Sequence, residues 1–255
     1  QQGVYITAKM PTIIAAFDRV RNGEEIIPPR KNLSHAANFL YMLTGEEPDE
    51  TKTNIFDTAL ILHCDHGINA STFAARITVS TLSDLHSAIT SAIGTLAGPL
   101  HGGANQRVMM MLLEIDASNH DPITWIKEHI ESGNKIPGFG HRVYKTKDPR
   151  ATILGDMSEE LGTAAGDRRW HEYSISIENY LDQEKGLSAN VDFYSASAYY
   201  QMGIPIDLYT PIFAISRIGG WVGHVIEQYS ENRLIRPRAN YTGPLDSKYL
   251  PINKR

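Results

Sequence analysis

The chain has 255 residues, 42% of them hydrophobic and 21% charged, with ordinary glycine and proline usage, so it is a folded protein with a substantial core rather than a disordered or collagen-like chain. Lys plus Arg number 24 against 29 Asp plus Glu, a net charge of −5 that argues against a whole-surface grip on nucleic acid. One cysteine, Cys64, excludes an internal disulfide and fits a reducing, cytoplasmic compartment.

The elements follow in chain order. The opening QQGVYITAKMPT lacks a basic n-region and an apolar core, so no secretory signal is expected, and the absence of an initiator Met suggests a processed or truncated piece. Apolar residues at a period near 3.6 predict helices over Thr12–Arg21, Ser34–Leu43, Asn54–Cys64 and Ser71–Leu82. Ser83 is expected to cap the next helix, from Asp84 to about Ala97, which Gly98-Pro99 stops. No formal charge falls between Asp84 and Arg107, yet two His, several Ser and Thr and the Gly-Pro break argue against a membrane span. Small residues Ser87, Ser91 and Gly94, beside Ala88, Ala92 and Thr95, predict tight packing on another helix or on a second subunit.

Helices are expected next over Asn105–Ile115, Pro122–Glu131, from Asp148-Pro149 through Leu161, Arg168–Leu181 and Ser188–Met202. Thr210-Pro211 reads as cap and first helical position of a long helix marked by Ile212, Ile215, Ile218, Val222, Val225, Ile226 and Tyr229. No hairpin-linked strands stand out, so the fold class is all-α. Joints at Gly98–Gly103, Pro137–Gly140 and Gly203–Pro205 suggest a hinged two-lobe body with the middle of the chain inserted into a lobe built from both ends.

Most of the ten histidines need no function; His35, His86, His120, His129 and His171 read as surface residues. His101 in GPLHGGAN and His141 in PGFGHRVY sit at flexible joints. His63 and His66 in HCDH are three apart near a helix end, the spacing of a metal pair, but no third anchor follows and capping or core roles are the alternative. Arg142, Lys145, Lys147 and Arg150 cluster within nine positions. Arg150 falls in the first turn of a helix, where its charge opposes the dipole; a bound anion would account for it, as would a solvated basic face.

Arg217 has Phe213, Ala214, Gly220 and Trp221 as helical neighbours and no acid within a turn, so its partner must be a distant acid or an anionic ligand. Asp192 opens a helix of aromatic and small residues. It acts either as a helix-start stabiliser or, if desolvated, as a base. Arg233, Arg236 and Arg238 lie in a tail beyond the last helix, solvated or reaching to a neighbouring subunit.

HCDHGINASTF, GPLHGGANQ, GFGHRVYKTKDPR, NVDFYSAS, FAISRIGGW and NRLIRPRANYTGP occur in the order and at the spacings of citrate synthases, which the chain resembles from about Met10 to about Pro244. It looks most like the dimeric bacterial and archaeal type, including 2-methylcitrate synthases, without the helical segment those proteins carry at the front.

The resemblance implies a large helical domain (1–102 and 208–255), a smaller inserted domain (103–207) and a homodimer. It implies no permanently bound cofactor and no metal, with oxaloacetate and acetyl-CoA as substrates. Carried over residue by residue, Asp192 would deprotonate the acetyl-CoA methyl, His101 would hydrogen-bond the thioester oxygen, and His141 would polarise the ketone and protonate the alkoxide. His66, Arg150 and Arg217 would bind the oxaloacetate carboxylates, with Arg236 supplied by the other subunit. Ile136, Pro137, Gly138, Phe139 and Gly140 would recognise adenine, and Arg142 and Lys145 the CoA phosphates. A 2-methylcitrate synthase using propionyl-CoA and a binding-only protein are the alternatives.

Overall fold

The structure, a computed structural model, describes residues 1–140, 144 and 146–255. Eleven α-helices stand among them: α1 (Gln2–Arg21), α2 (His35–Thr44), α3 (Glu50–Cys64), α4 (Ala70–Ser80), α5 (Leu85–Leu96), α6 (Ala104–Ser118), α7 (Pro122–Glu131), α8 (Pro149–Ala165), α9 (Arg169–Lys185), α10 (Val191–Gln201) and α11 (Tyr209–Ser230). No strand occurs among the described residues, only an isolated bridge between Phe139 and Ala189. None of the helices is long and apolar enough to cross a membrane.

Two helices organise the packing. α11, apolar along one broad face, lies against α1, α3, α4 and α5, while α10 lies against α6, α8 and α9. The two groups meet where α3 touches α8 and where α11 touches α6. At that junction Phe39 stacks on Phe56, Phe56 meets Tyr199 edge-on and Tyr199 meets Tyr209, so an aromatic column ties α2 and α3 to α10 and α11.

Several starts differ from the sequence reading. α1 begins at Gln2, ten residues before Thr12, and runs through Pro11. Packing of Gly3 on Val222, with Met10 and Ile14 buried, outweighs the one backbone donor that Pro11 removes. α5 is capped by Asp84 rather than Ser83: the Ser87 N–H donates to Asp84 Oδ1 at 3.0 Å. α5 buries Leu85, Ala88, Ile89, Ala92 and Leu96, but Ser87 and Gly94 are exposed, so the expected small-residue face is covered only in part within this chain. α10 starts at Val191 behind an Asn190 cap, and α11 at Tyr209 with no side-chain cap. The hydroxyl of Thr210, expected to cap α11, donates instead to the Gly102 carbonyl at 3.0 Å. His171 is buried, not a surface residue, in the packing of α9.

Candidate active site

Four helix ends and the middle of α11 converge where the two groups of helices meet. α10 contributes Asp192 in its first turn, its N–H donating to the Asn190 cap. An aspartate there is normally held ionised by the helix dipole. Here burial wins and pushes its pKa up to about 6, with Arg150 opposing, Asp148 adding to the rise, and Arg217 and Arg107 opposing. Among the described residues no hydrogen bond or ion pair reaches its carboxylate. A half-buried acid poised near neutrality, without a partner among the described residues and within the field of three guanidinium groups, is the form a general base takes.

Arg150 is buried in the first turn of α8, and the anion that offsets its charge is in the chain itself. Asp148, the N-cap, accepts from Arg150 Nε at 3.0 Å and from Nη2 at 2.7 Å. This fork rules out a solvated face and supplies one anion from within the chain, while among the described residues no bond takes Nη1, which can still meet an external anion. Arg217 is 2% exposed and lies 4.9 Å over the Phe213 ring. Its Nε donates to the His63 carbonyl at 2.7 Å, and among the described residues no carboxylate is within ion-pair distance. Burial pulls its pKa down to about 10, with Asp65 opposing and Arg150 adding to the fall. The distant acid allowed by the sequence is therefore not in contact, and Arg217 is a charged, desolvated fork.

His101 projects from the joint between α5 and α6. The Ser71 backbone N–H, in the first turn of α4, donates to His101 Nε2 at 3.3 Å, and the Ser71 hydroxyl lies 2.9 Å from the same atom. A backbone N–H only donates, so Nε2 accepts and the ring proton sits on Nδ1. Burial and the Arg217 charge lower the pKa and keep the ring neutral. The Trp221 indole N–H donates to Ser71 Oγ at 3.1 Å and fixes the hydroxyl from α11. The result is a neutral imidazole whose Nδ1–H meets no partner among the described residues and can stabilise a developing oxyanion.

His66 lies beyond the end of α3, with Nε2 3.3 Å from the Tyr144 hydroxyl. His63 is turned into the core instead. Its Nδ1 donates to the Ala59 carbonyl at 2.7 Å, burial brings its pKa to about 4, and among the described residues Nε2 has no partner. Because the helix stops at Cys64, the two rings do not share a face as the HCDH spacing suggested. Among the described residues no three His, Cys, Asp or Glu side chains are placed to hold a metal.

The close seat of α3 on α11 depends on Gly219-Gly220. A Cβ on Gly220 would lie 2.4 Å from the Cys64 carbonyl and 3.0 Å from Asp65 Oδ1, whereas one on Gly223 would meet nothing within 4 Å. Gly220→Ala is expected to lower stability by about 1–3 kcal/mol, whereas Gly223→Ala raises it by up to about 1 kcal/mol. Denaturant midpoints of the two variants check this contrast.

A cleft of about 530 Å³ opens at Asn190, the cap of α10, with Ile136, Pro137, Gly138 and Phe139 on one wall and Arg107, Met111, Trp125, His129 and Lys135 around it. Gly138 has φ +83°, and a Cβ there would lie 2.8 Å from Val108. The wall is latched to the start of α10: Asn190 N–H donates to the Gly138 carbonyl, Asn190 Nδ2 to the Gly140 carbonyl, and Gly140 N–H to the Ser188 carbonyl, at 2.9, 2.9 and 3.0 Å. These three bonds tie the cleft wall to the start of the helix that carries Asp192.

Asp192, His101 and Arg150 thus all lie within the field of Arg217, the 136–140 segment is tied to the start of α10, and His66 follows the end of α3 against Tyr144. Among the described residues Arg236 does not join them: it is exposed and its one hydrogen-bond partner there is the neighbouring Pro237 carbonyl. His141, Arg142 and Lys145 lie outside the described residues. Sequence reasoning missed Asp148, although an Asp two residues before Arg150 at a helix start was the available signal. It also missed Ser71 and Trp221 behind His101, which looked like ordinary helix residues.

The family model described as citrate synthase, C-terminal domain, matches residues 1–238. A citrate synthase of Haloferax volcanii is 63% identical over 250 residues, covering 98% of this chain and 66% of that protein. The 2-methylcitrate synthase of Shewanella oneidensis is 43% identical, with 98% and 67% covered. Among solved structures, citrate synthase from Thermoplasma acidophilum, in a ternary complex with carboxymethyl coenzyme A and oxaloacetate, superposes with a TM-score of 0.90 at 38% identity, over 99% of this chain and 68% of that one. The chain spans about two thirds of the length of the relatives it matches.

Proposed function

The chain belongs to the citrate synthase family, and from that premise we propose that it condenses acetyl-CoA with oxaloacetate and hydrolyses the product thioester, releasing citrate and CoA. The observation that carries this reading is the Asp192 carboxylate, without a partner among the described residues and with a pKa of about 6, sharing the field of Arg217 with a His101 whose Nε2 accepts from the Ser71 N–H. Asp192 takes a proton from the thioester methyl while His101 donates to the thioester oxygen, so charge is stabilised at oxygen as carbon loses its proton. The enol carbon then bonds to the ketone carbon of oxaloacetate. His141 protonates the resulting alkoxide, and water cleaves the thioester to a carboxylate and the CoA thiol.

Arg217 supports the oxaloacetate assignment, because a dicarboxylate supplies the anion that the described residues do not. Arg150 and His66 complete that pocket, and Arg236, free of the cluster in its own chain, reaches it from the other subunit of a homodimer. The 136–140 wall takes adenine, and Arg142 and Lys145 the phosphates, with CoA a co-substrate and no resident cofactor. Residues 103–207 form the inserted small domain and 1–102 with 208–255 the large one; the preference of α6, α8 and α9 for α10 supports that division. The working compartment is the cytoplasm.

The 2-methylcitrate reading rests on relatives of that name at lower identity. One methylene in an apolar pocket is worth about 1–3 kcal/mol, so propionyl-CoA is expected to turn over as the weaker substrate. Thiol release, measured for each thioester with oxaloacetate, tests the proposal. A higher kcat/KM for acetyl-CoA supports it, a propionyl-CoA preference overturns the substrate choice, and folded protein that releases no thiol from either is a binding protein.

A further inference from the structure

Two turns beyond Arg217 on α11 lies His224, which none of the chemistry above uses. Its Nε2 is 3.1 Å from Asp65 Oδ1 and its Nδ1 is 3.2 Å from Arg76 Nη1. A guanidinium only donates, so Nδ1 accepts, and the ring proton sits on Nε2, where it donates to the Asp65 carboxylate. Arg76 is held in turn by Glu227, whose carboxylate is also 3.6 Å from Nδ1. On its other oxygen Asp65 accepts from the Gly67 N–H at 3.2 Å. One carboxylate thus closes the 65–67 turn from within and ties it to α11, and the residue at the middle of that turn is His66.

We propose that His224 is a positioning residue for dicarboxylate binding: by holding Asp65 it fixes the turn that presents His66 beside Arg217. This rests on the reading of His66 and Arg217 as oxaloacetate ligands. Two further observations converge on the same carboxylate. Gly220, midway between Arg217 and His224, leaves the space in which Asp65 lies against the helix. Asp65 is also the acid whose charge does most to keep the desolvated Arg217 protonated. A shift of Asp65 therefore disturbs both ligands of one substrate and neither wall of the CoA cleft. A cluster that merely fastened the α3–α4 connection to α11 would change stability without discriminating between substrates.

The test compares His224→Ala, His224→Asn and His224→Gln. A glutamine amide can donate from about where Nε2 lies, whereas asparagine reaches only as far as Nδ1 and leaves Asp65 unheld. Oxaloacetate affinity is read from the rise in melting temperature that it causes, and KM is measured for both substrates. His224→Ala and His224→Asn are expected to weaken oxaloacetate about tenfold, below the roughly hundredfold of a full 1 Å misplacement because Gly67 still holds Asp65. Their acetyl-CoA KM stays at the parent value, the unliganded melting temperature moves by less than about 4 °C, and His224→Gln recovers most of the affinity. Unchanged oxaloacetate affinity in His224→Ala overturns the proposal. So does equal weakening of both substrates, or a His224→Gln variant as defective as His224→Asn. If His224→Ala does not fold, the Gln and Asn pair carries the comparison. Failure of the underlying reading is seen separately, on the parent protein, as no melting-temperature response to oxaloacetate.

Discussion

Replacing Asp192 by Asn is expected to lower turnover by about 10²–10⁴-fold while leaving oxaloacetate affinity within about threefold of the parent. The substitution keeps the shape of the side chain and the backbone bond from Asp192 N–H to Asn190, and removes only the basic oxygen. The parent protein should lose kcat/KM as pH falls through about 6, because the base is active only when ionised. Asparagine should remove that limb.

The same residue has a signature in stability with a definite sign. The pKa of Asp192 is raised on folding, so its burial is most favourable below the unfolded value and becomes a cost as pH rises through about 6. Asp192→Asn should therefore stabilise the protein at pH 7.5 by about 1–3 kcal/mol, a gain that disappears below about pH 4. An inactive variant that is also more stable at neutral pH, and only there, separates a desolvated base from a residue that merely supports the helix start.

The second large effect is expected at Arg217. Methionine there has similar length and removes a charge whose only hydrogen bond among the described residues is Nε to the His63 carbonyl. Replacing a poorly compensated buried ion by an apolar side chain is commonly neutral or stabilising by about 1–4 kcal/mol. Oxaloacetate binding should fall at least about thirtyfold, since a desolvated, hydrogen-bonded charge pair is worth roughly 2–5 kcal/mol. Because the guanidinium pKa is still about 10, both effects should be flat from pH 5 to about 9, unlike those at Asp192. Urea midpoints and the oxaloacetate-induced change in melting temperature measure the two halves. A loss of stability larger than about 2 kcal/mol would make Arg217 a structural cation instead.

The helical fold was legible because its cause is local. Apolar residues recur at a period near 3.6 on α2, α6 and α11, and α7 and α8 carry a capping Asp followed by Pro at their starts. α1 was read short because its early turns lack that pattern and owe their place to α11, a contact no local signal encodes. Arg217 was the most readable site residue. A charge on an apolar stripe without an acid nearby requires a partner from outside its helix, and the structure leaves that requirement open to a ligand.

Other site features depend on the approach of distant segments. The tautomer of His101 is set by Ser71, thirty positions earlier, and by Trp221 on the last helix. His63 and His66 look equivalent in HCDH, yet the helix ends between them and sends one ring into the core and the other toward Tyr144. Arg150 shows the reverse case: its partner Asp148 is local, but nothing in the order of residues says whether the pair faces solvent or, as here, is buried.

The central claim is that Asp192 removes a methyl proton from the thioester while His101 holds the oxygen, and proton exchange at that methyl reads the step without waiting for condensation. Acetyl-CoA would be incubated in deuterated buffer with the protein and a dicarboxylate that lacks the ketone, so that the guanidinium site is filled and no carbon–carbon bond forms. The parent protein should incorporate deuterium into the methyl group, and Asp192→Asn should do so at least about a hundredfold more slowly. Exchange at the parent rate in Asp192→Asn, or none in the parent, would contradict the account.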